Sequence, residues 1–247
     1  MDSAIFVGMS GAKEAMRSIQ MISNNLANSN TTGFKADYET IKSINSNQNR
    51  LQTRVYSASD KTYADFKPGP IINTGNDLDV AVSGSGFIAV QSKDGREGYT
   101  RAGNLQINKE GLLVTGKGDM VLGAKGVINV PPARRVHIGE RGMVTAQLRG
   151  ESEKDLVDLG MIKLVDVPPN LLEKGEDGLF YLPDNGTALH SETVKIVSGA
   201  LEGSNVDPVR SLTELIDTSR KFEMHTKLIK SIEENTNRSN QLLNITE

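Results

Sequence analysis

Apolar and polar positions divide the chain into a helical start, a long middle with strand character and a helical end. In the first stretch, apolar or small residues recur at alternating spacings of four and three. These positions are Ile5, Met9, Ala12, Met16, Ile19, Ser23 and Leu26. Such a heptad spacing predicts a helix with a seam, as in coiled coils. An ordinary amphipathic helix has the same spacing, so the pattern alone leaves both interpretations open.

The helical period returns after Gly203. The second seam consists of Leu212, Leu215, Ser219, Phe222, Thr226 and Ile229, and after a one-residue slip of Ile232, Thr236, Ser239 and Leu243. Asp207 followed by Pro208 predicts the start of this helix, because aspartate caps helices and proline fits the first turn. One helix over 207–243 would be about 55 Å long, which exceeds what a compact domain of this size needs.

The middle of the chain, from Gly69 to Gly203, consists of short β-prone runs such as DLDVAV, GFIAVQ and VKIVSGAL between glycine turns. Turns at 93–95 and 108–111 are of the hairpin type and predict antiparallel neighbours. The proline pairs at 131–132 and 168–169 cannot lie inside central strands. The region is therefore predicted to be a mainly antiparallel β-domain.

The predicted fold class is α+β, with long N- and C-terminal helices that pair in a coiled-coil-like way and a β-domain inserted between them. We expect four segments: 1–35, the N-terminal helix and an asparagine-rich turn; 36–68, an extended linker; 69–203, the β-domain; and 204–247, the C-terminal helix. Both seams contain serine or threonine where a self-sufficient coiled coil has leucine or isoleucine. Each buried aliphatic side chain is worth about 1.5 to 3 kcal/mol, so we expect the helix pair to be marginal alone and ordered by neighbours.

The amino-acid composition excludes several classes of function but does not indicate a particular one. The 247 residues include 28 basic and 31 acidic side chains, which are well mixed and give a net charge of -3. No basic field is present that would hold nucleic acid or anionic lipid. The absence of cysteine excludes disulfides, thiolate catalysis and cysteine-ligated metals. The N-terminus lacks the basic start and apolar run of a secretory signal, so we expect export without a cleaved signal peptide and no direct membrane insertion.

No motif predicts a catalytic, cofactor or metal site. The loop Gly84–Gly86 follows an apolar run but continues into a strand, whereas a dinucleotide fingerprint requires a helix. Asp77 and Asp79 would share one face of a strand, and a solvated edge or turn role is favoured because further convergent ligands are lacking. The histidines, at positions 137, 190 and 225, have no metal-ligand spacing. We therefore predict a non-enzymatic protein without cofactors.

Three blocks of the sequence resemble the flagellar rod, hook and hook-filament axial proteins. The blocks are ISNNLANSNTTGFKAD, GSGFIAVQSKDGREGYTRAGNLQINKEGLLVTGKGDMVLG and LEGSNVDPVRSLTELIDTSRKFEMHTKLIKSIEE, in the order typical of that family. Ile88 and Leu105 replace aromatic residues of the common pattern but keep its apolar character. Within the family, the two ends are most similar to proximal rod proteins, and distal rod proteins are the closest alternative.

The resemblance implies a structural subunit of the basal-body rod that polymerises with itself and other axial proteins to transmit torque across the periplasm. It also implies delivery by the flagellar type III export apparatus and terminal helices packed inside a helical tube. Two other classes stay open: a secreted binding or assembly factor of the same family, and an enzyme, for which Asp77 and Asp79 are the residues to mutate.

The predicted site is an assembly interface made of the two seams and the asparagine-rich turn. Asparagine amides both donate and accept hydrogen bonds, so they can satisfy the carbonyls at a helix end and bridge to adjacent chains. Local capping alone is the alternative. The interface residues are Ile5, Met9, Met16, Ile19, Asn24, Asn25, Leu26, Asn28, Gly33, Phe34, Asn205, Leu212, Leu215, Phe222, Ile229, Ile232 and Leu243.

Overall fold

A computed structural model describes residues 2–45, 55–148 and 156–243. Helix α1 spans Asp2–Ala27, helix α2 spans Pro208–Leu243, and the strands lie between them. The first nine strands are β1 Asp37–Asn45, β2 Val55–Ala64, β3 Ile71–Asn73, β4 Val80–Ser83, β5 Phe87–Gln91, β6 Glu97–Thr100, β7 Leu105–Ile107, β8 Leu113–Thr115 and β9 Met120–Gly123. The others are β10 Gly126–Val127, β11 Ala133–Ile138, β12 Met143–Leu148, β13 Leu156–Met161, β14 Leu164–Val165, β15 Glu173–Lys174, β16 Phe180–Tyr181, β17 Lys195–Ser198 and β18 Ala200–Glu202. The predicted α+β class, with antiparallel strands between two terminal helices, is confirmed.

The described chain forms two compact units. The first, here called the helical unit, contains α1, the strand pair β1 and β2, and α2. The second, here called the β-unit, contains Asn30–Ala36 and Phe66–Asn205. The chain therefore passes between the units after residues 29, 36, 65 and 205.

In the helical unit, α1 meets α2 at two glycines that the predicted seam of α1 does not include. A Cβ atom added to Gly11 would lie 2.5 Å from the His225 ring, and one added to Gly8 would lie 3.0 Å from Ile229. The helices can approach this closely because glycine has no side chain at the crossing. The seam residues Met9 and Met16 are instead 51 and 54 percent exposed. The predicted seam of α1 stays a prediction: Met9 and Met16 are exposed, whereas Ile5, Ile19 and Leu26 are half-buried.

The stretch 36–68, which we expected to be an extended linker, contains a strand pair. Strands β1 and β2 run antiparallel from Asp37 opposite Ala64, and both are described up to the gap at 46–54. The rings of Tyr38 and Tyr63 stack with their centroids 5.8 Å apart. The described residues of this stretch thus form a strand pair where the sequence predicted an extended linker, and tyrosine and other residues common in strands occur in both strands.

The β-unit is built from short antiparallel strands around one apolar core. Its largest sheet has the order β15-β16-β6-β5-β9-β8-β7, with β10 on β9 and β14 on β5. Strands β11, β12 and β13 form a second sheet, and β4 with β17 and β3 with β18 form two pairs. Ile88 and Leu105, which replace aromatic residues of the family pattern, are buried in this core. The predicted hairpins β5–β6 and β7–β8 are confirmed as antiparallel pairs.

Candidate functional site

The asparagine-rich turn after α1 is held by one amide that bonds to a distant backbone position. The Asn25 side chain donates to the carbonyl of Asp37 at 2.8 Å and accepts from the Asp37 N–H at 2.9 Å. Both bonds lie within the helical unit, and Asn25 is buried. The Asn25 amide thus exchanges two hydrogen bonds with the backbone of one residue, as a paired strand residue would, and holds the first residue of β1 in place. Asn25 therefore acts inside its own chain.

The other asparagines of the turn are more accessible. Asn28 donates its side-chain amide to the carbonyl of Asn24 at 2.9 Å, which satisfies one of the carbonyls left open at the end of α1. Asn24 and Asn30 are exposed. The capping role of the turn is thus present at Asn28.

The β-unit contains a buried carboxylate that joins three parts of the sequence. Glu202, at the end of β18, is 1 percent exposed. One of its oxygens, Oε1, accepts from Lys35 Nζ at 2.6 Å and from the Gly69 N–H at 3.0 Å, while Oε2 accepts from Arg101 Nη1 at 2.9 Å. Lys35 also donates to the carbonyl of Lys67 at 2.8 Å. We call Glu202, Lys35 and Arg101 the charge cluster.

Both oxygens of the Glu202 carboxylate have partners although they lie away from water, whereas the buried Arg101 Nε has no hydrogen-bond partner among the described residues. Burial acts to raise the pKa of Glu202, but hydrogen bonds from Lys35 and Gly69 and the charge of Arg101 outweigh it, so the pKa is lowered. Arg101 further donates to the Gly84 carbonyl at 2.6 Å. Buried ion pairs are costly unless their remaining hydrogen-bonding groups are satisfied, and removing one partner is strongly destabilising. The arrangement therefore depends on all three charges being present.

Two of the predicted interface residues, Asn205 and Gly33, lie beside the charge cluster. Asn205 accepts from the Ala36 N–H at 2.8 Å and donates to the Lys67 carbonyl at 3.1 Å. Gly33 donates its N–H to the Glu202 carbonyl at 2.7 Å and has a φ of 68°. These bonds lie within a few residues of the points at which the chain passes between the units. The site thus gathers the entry and exit segments of the β-unit.

The charge cluster draws one residue from each block that carries the family resemblance. Lys35 lies in the GFKAD run that ends the first block, Arg101 lies in the YTRAG run of the second and Glu202 lies in the LEGSN run of the third. Sequence reasoning missed all three, because Lys35 and Glu202 are 167 residues apart. The available signal was a charged residue at the end of an apolar strand run in each of the last two blocks.

The predicted residues of α2 divide between its two faces. Leu215, Phe222, Ile229 and Ile232 are half-buried, whereas Leu212 is exposed. Leu243 ends the helix, and its side chain lies outside the described residues. On α1, the predicted residues Ile5, Ile19 and Leu26 are half-buried.

The start of α2 agrees with the prediction from Asp207 and Pro208. The Asp207 carboxylate accepts from the N–H groups of Val209 and Arg210 at 2.9 and 3.2 Å. It therefore satisfies two donors of the first helical turn. The predicted cap is confirmed.

The remaining candidate positions have structural partners. Asp77 lies in a turn and pairs with Arg135, and Asp79 accepts from the Thr74 hydroxyl at 2.7 Å. They therefore do not share one strand face: Asp77 has the predicted turn role, whereas Asp79 is buried and forms a β-bridge with Asn104. His190 accepts from the Leu164 N–H at 3.3 Å.

The described residues contain neither a cluster of metal-ligating side chains nor a membrane-spanning helix. Within residues 2–45, 55–148 and 156–243, histidine and acidic side chains do not gather in threes to form a metal site. Neither described helix has an apolar stretch that would span a bilayer.

Both terminal helices leave apolar side chains in solvent. Phe6, Met9 and Met16 are exposed on α1, and α2 exposes Val209, Leu212, Ile216, Met224 and Leu228. Large exposed apolar surfaces mark sites of association. Both described helices therefore carry apolar surface that the rest of the described chain does not cover.

Comparison with known proteins identifies the family. Three family models match: "Flagella basal body rod protein" over residues 5–35, "Flagellar hook protein FlgE/F/G D1 domain" over 81–146 and "Flagellar basal body rod FlgEFG protein C-terminal" over 197–242. The chain belongs to the flagellar basal-body rod protein family, whose members are structural proteins and not enzymes.

Full-length relatives agree with this assignment. The chain is 37 percent identical to the flagellar basal-body rod protein FlgF of Salmonella typhimurium, with 99 percent of this chain and all of the relative covered. It is 35 percent identical to FlgF of Escherichia coli K12, again with 99 and 100 percent covered. The rod protein FlgG of Bacillus subtilis is 31 percent identical, with 94 percent of this chain and 95 percent of the relative covered.

Proposed function

We propose that this chain is a structural subunit of the bacterial flagellar basal-body rod and occupies its proximal part. The supporting observation is the similarity to proteins named FlgF along essentially the whole length of both chains. The FlgG relatives have lower identities, of 28 to 31 percent. A distal rod position is the second candidate, because the FlgG relatives also cover at least 93 percent of this chain.

The subunit would use its terminal helices to bind other axial subunits and further copies of itself. The exposed methionines on α1 and the exposed aliphatic residues on α2 support this role. Covering a half-exposed side chain of this size is worth about 1 kcal/mol, so several together support association. The predicted interface combines these residues with the half-buried seam residues. Contacts of this heterologous kind that do not close on themselves give a filament.

The chain segments would then have different tasks. The helices of 1–35 and 204–247 would pair in a coiled-coil-like way inside the wall of the rod, and the β-domain of 69–203 would lie outside it. The close contact of Gly8 and Gly11 with α2 supports the pairing. In the asparagine-rich turn, Asn24 and Asn30 are exposed and available to neighbouring chains, while Asn25 acts locally.

We further propose that the subunit reaches the rod through the flagellar type III export apparatus, as its family membership suggests. The location of the chain in the rod can be tested directly. Mass spectrometry of detergent- and salt-washed hook-basal bodies should find this chain as a stoichiometric component. If the chain is absent from them and is found free, it is a transient assembly or binding factor instead.

A cross-linking experiment distinguishes the proximal from the distal position. A photoreactive amino acid at position 16, which is exposed on α1, should form adducts with neighbouring rod subunits in purified hook-basal bodies. Adducts with other proximal rod proteins support the proximal assignment. Adducts with hook protein would place the chain at the distal end.

A further inference from the structure

Residues 33–36 lie along the β-unit as a bound peptide would. The Gly33 N–H donates to the Glu202 carbonyl at 2.7 Å, and the Ala36 N–H donates to the Asn205 side chain at 2.8 Å. Between them, the Phe34 carbonyl accepts from the Asn205 N–H at 3.4 Å. Backbone bonds of this kind provide affinity in peptide recognition, and side-chain pockets provide specificity.

The first pocket accepts only glycine. A Cβ atom added to Gly33 would lie 2.3 Å from the carbonyl carbon of Arg101 and 2.4 Å from the Ala102 nitrogen. Both are backbone atoms, so no side-chain rotation can make room. The φ of 68° also favours glycine at this position.

The second contact favours an aromatic ring. The Lys174 ammonium lies 4.3 Å from the centre of the Phe34 ring, and it also donates to the Lys35 carbonyl at 3.2 Å. A cation above a ring face is attracted by the ring quadrupole, and an aliphatic side chain lacks this attraction. Lys174 therefore holds the segment by its backbone and by its ring.

The third pocket is closed and acidic. Lys35 is 1 percent exposed, and its ammonium reaches Glu202 Oε1 and the Lys67 carbonyl. Arg101 already occupies the other oxygen of Glu202. A compact ammonium fits these two acceptors, whereas a planar guanidinium presents its donors in a fixed fork.

We propose that the β-unit contains an acceptor site for a Gly-aromatic-Lys-small segment, occupied in this protein by its own residues 33–36. The site is built by Glu202, Asn205, Lys174 and the backbone at Arg101. Docking of residues 33–36, and not a local turn after α1, holds the segment that enters the β-unit beside β18, near the point where the chain leaves it. The proposal does not rest on the proposed rod function.

Hydrogen exchange of the full-length chain tests the proposal through an amide far from the segment in sequence. The Gly69 N–H bonds to the same Glu202 oxygen as Lys35. In Lys35→Met, and equally in Lys35→Arg, we expect the Gly69 amide to exchange at least roughly tenfold faster, as a loss of one buried bond would give. Lys125→Met, at an exposed turn between β9 and β10, is the matched control and should leave this rate unchanged.

Variants at half-buried positions keep the test informative if the Lys35 variants do not fold. Phe34→Leu and Lys174→Met should speed exchange of the Gly33 and Ala36 amides several-fold, and Phe34→Tyr should retain the wild-type rates because it keeps the ring. Equal rates in Phe34→Leu and Phe34→Tyr would overturn the aromatic selectivity. Unchanged Gly69 exchange in folded Lys35→Met would overturn the acceptor site itself.

Discussion

The helical unit and the β-unit satisfy their side chains in different ways. In the β-unit, large apolar residues such as Ile138 and Leu164 are fully buried, and even the charged Glu202 and Lys35 have partners inside the unit. In the helical unit, Met9 and Met16 stay more than half exposed. The comparison shows that the β-unit has a large buried apolar core within one chain, whereas Ala15 and Ile22 are the buried hydrophobic residues among the described part of the helical unit.

The largest expected effect comes from removing the carboxylate of the charge cluster. Glu202→Ala leaves the Lys35 and Arg101 charges buried without their anion. We expect the free energy of unfolding to fall by about 3 to 5 kcal/mol, the usual cost of breaking a buried pair. Urea denaturation measures this free energy of unfolding. Glu192→Ala, at an exposed acidic residue, is the control, and an equal loss in both variants would show that the cluster adds nothing special.

A cavity in the β-unit should cost slightly less. Leu113 is fully buried, and Leu113→Ala should lower the free energy of unfolding by about 2 to 5 kcal/mol through lost burial and the cavity. Leu189, which is 90 percent exposed, provides the matched substitution Leu189→Ala with a change within about 0.5 kcal/mol. Thermal denaturation of both variants checks the contrast, and equal melting temperatures would contradict a packed core at Leu113.

The crossing of the two helices should respond to bulk at Gly11. Gly11→Leu places a side chain where the His225 ring lies, so the helical unit should lose about 1 to 3 kcal/mol although leucine favours helices. Thermal loss of the helical circular dichroism signal measures this. Met9→Leu, on the exposed face of the same helix, should change little. If Gly11→Leu is as stable as Met9→Leu, the helices do not cross at Gly11.

Loss of the α2 cap should have a smaller effect. Asp207→Ala removes an acceptor for two N–H groups and should cost about 1 kcal/mol. Asp217→Ala, at an exposed position within the helix, is its control. Hydrogen exchange of the Val209 and Arg210 amides should speed up only in the first variant; equal exchange in both would argue against the cap.

The smallest effect is an acid-side loss of stability. The pKa of Glu202 is lower in the folded chain than its usual value, so its contribution is present above the unfolded pKa of about 4.3 and is lost as pH falls through the folded pKa. Below about pH 4, wild type should therefore lose stability more steeply than Glu202→Gln, which has no proton to take up at this position. Parallel slopes in chemical denaturation would contradict the electrostatic role of Glu202.

Much of this fold follows from local sequence pattern. The start of α2 at Pro208 follows from the cap at Asp207, and the β5–β6 and β7–β8 hairpins follow from their glycine turns. The strand pair β1–β2 was missed because its polar residues resemble a linker. In each confirmed case the deciding atoms are close together in the sequence.

The site was less predictable because its contacts are long-range. The close approach of α1 to α2 was not predicted because Gly8 and Gly11 contribute by the absence of side chains. The charge cluster was missed because its members come from three distant blocks, and each reads locally as an ordinary charged residue. Asn25 was expected at an interface between chains, and its amide bonds to Asp37 of its own chain.

If the chain assembles as proposed, the exposed face of the terminal helices serves assembly and not the stability of the single chain. The most direct measurement is the amount of a Met9→Ser/Met16→Ser variant in purified hook-basal bodies, with Leu189→Ser as the control and melting temperatures of the purified proteins alongside. We expect wild-type melting temperatures for both variants, and a strong loss of incorporation into hook-basal bodies for the methionine variant alone. Wild-type incorporation of the methionine variant would contradict it.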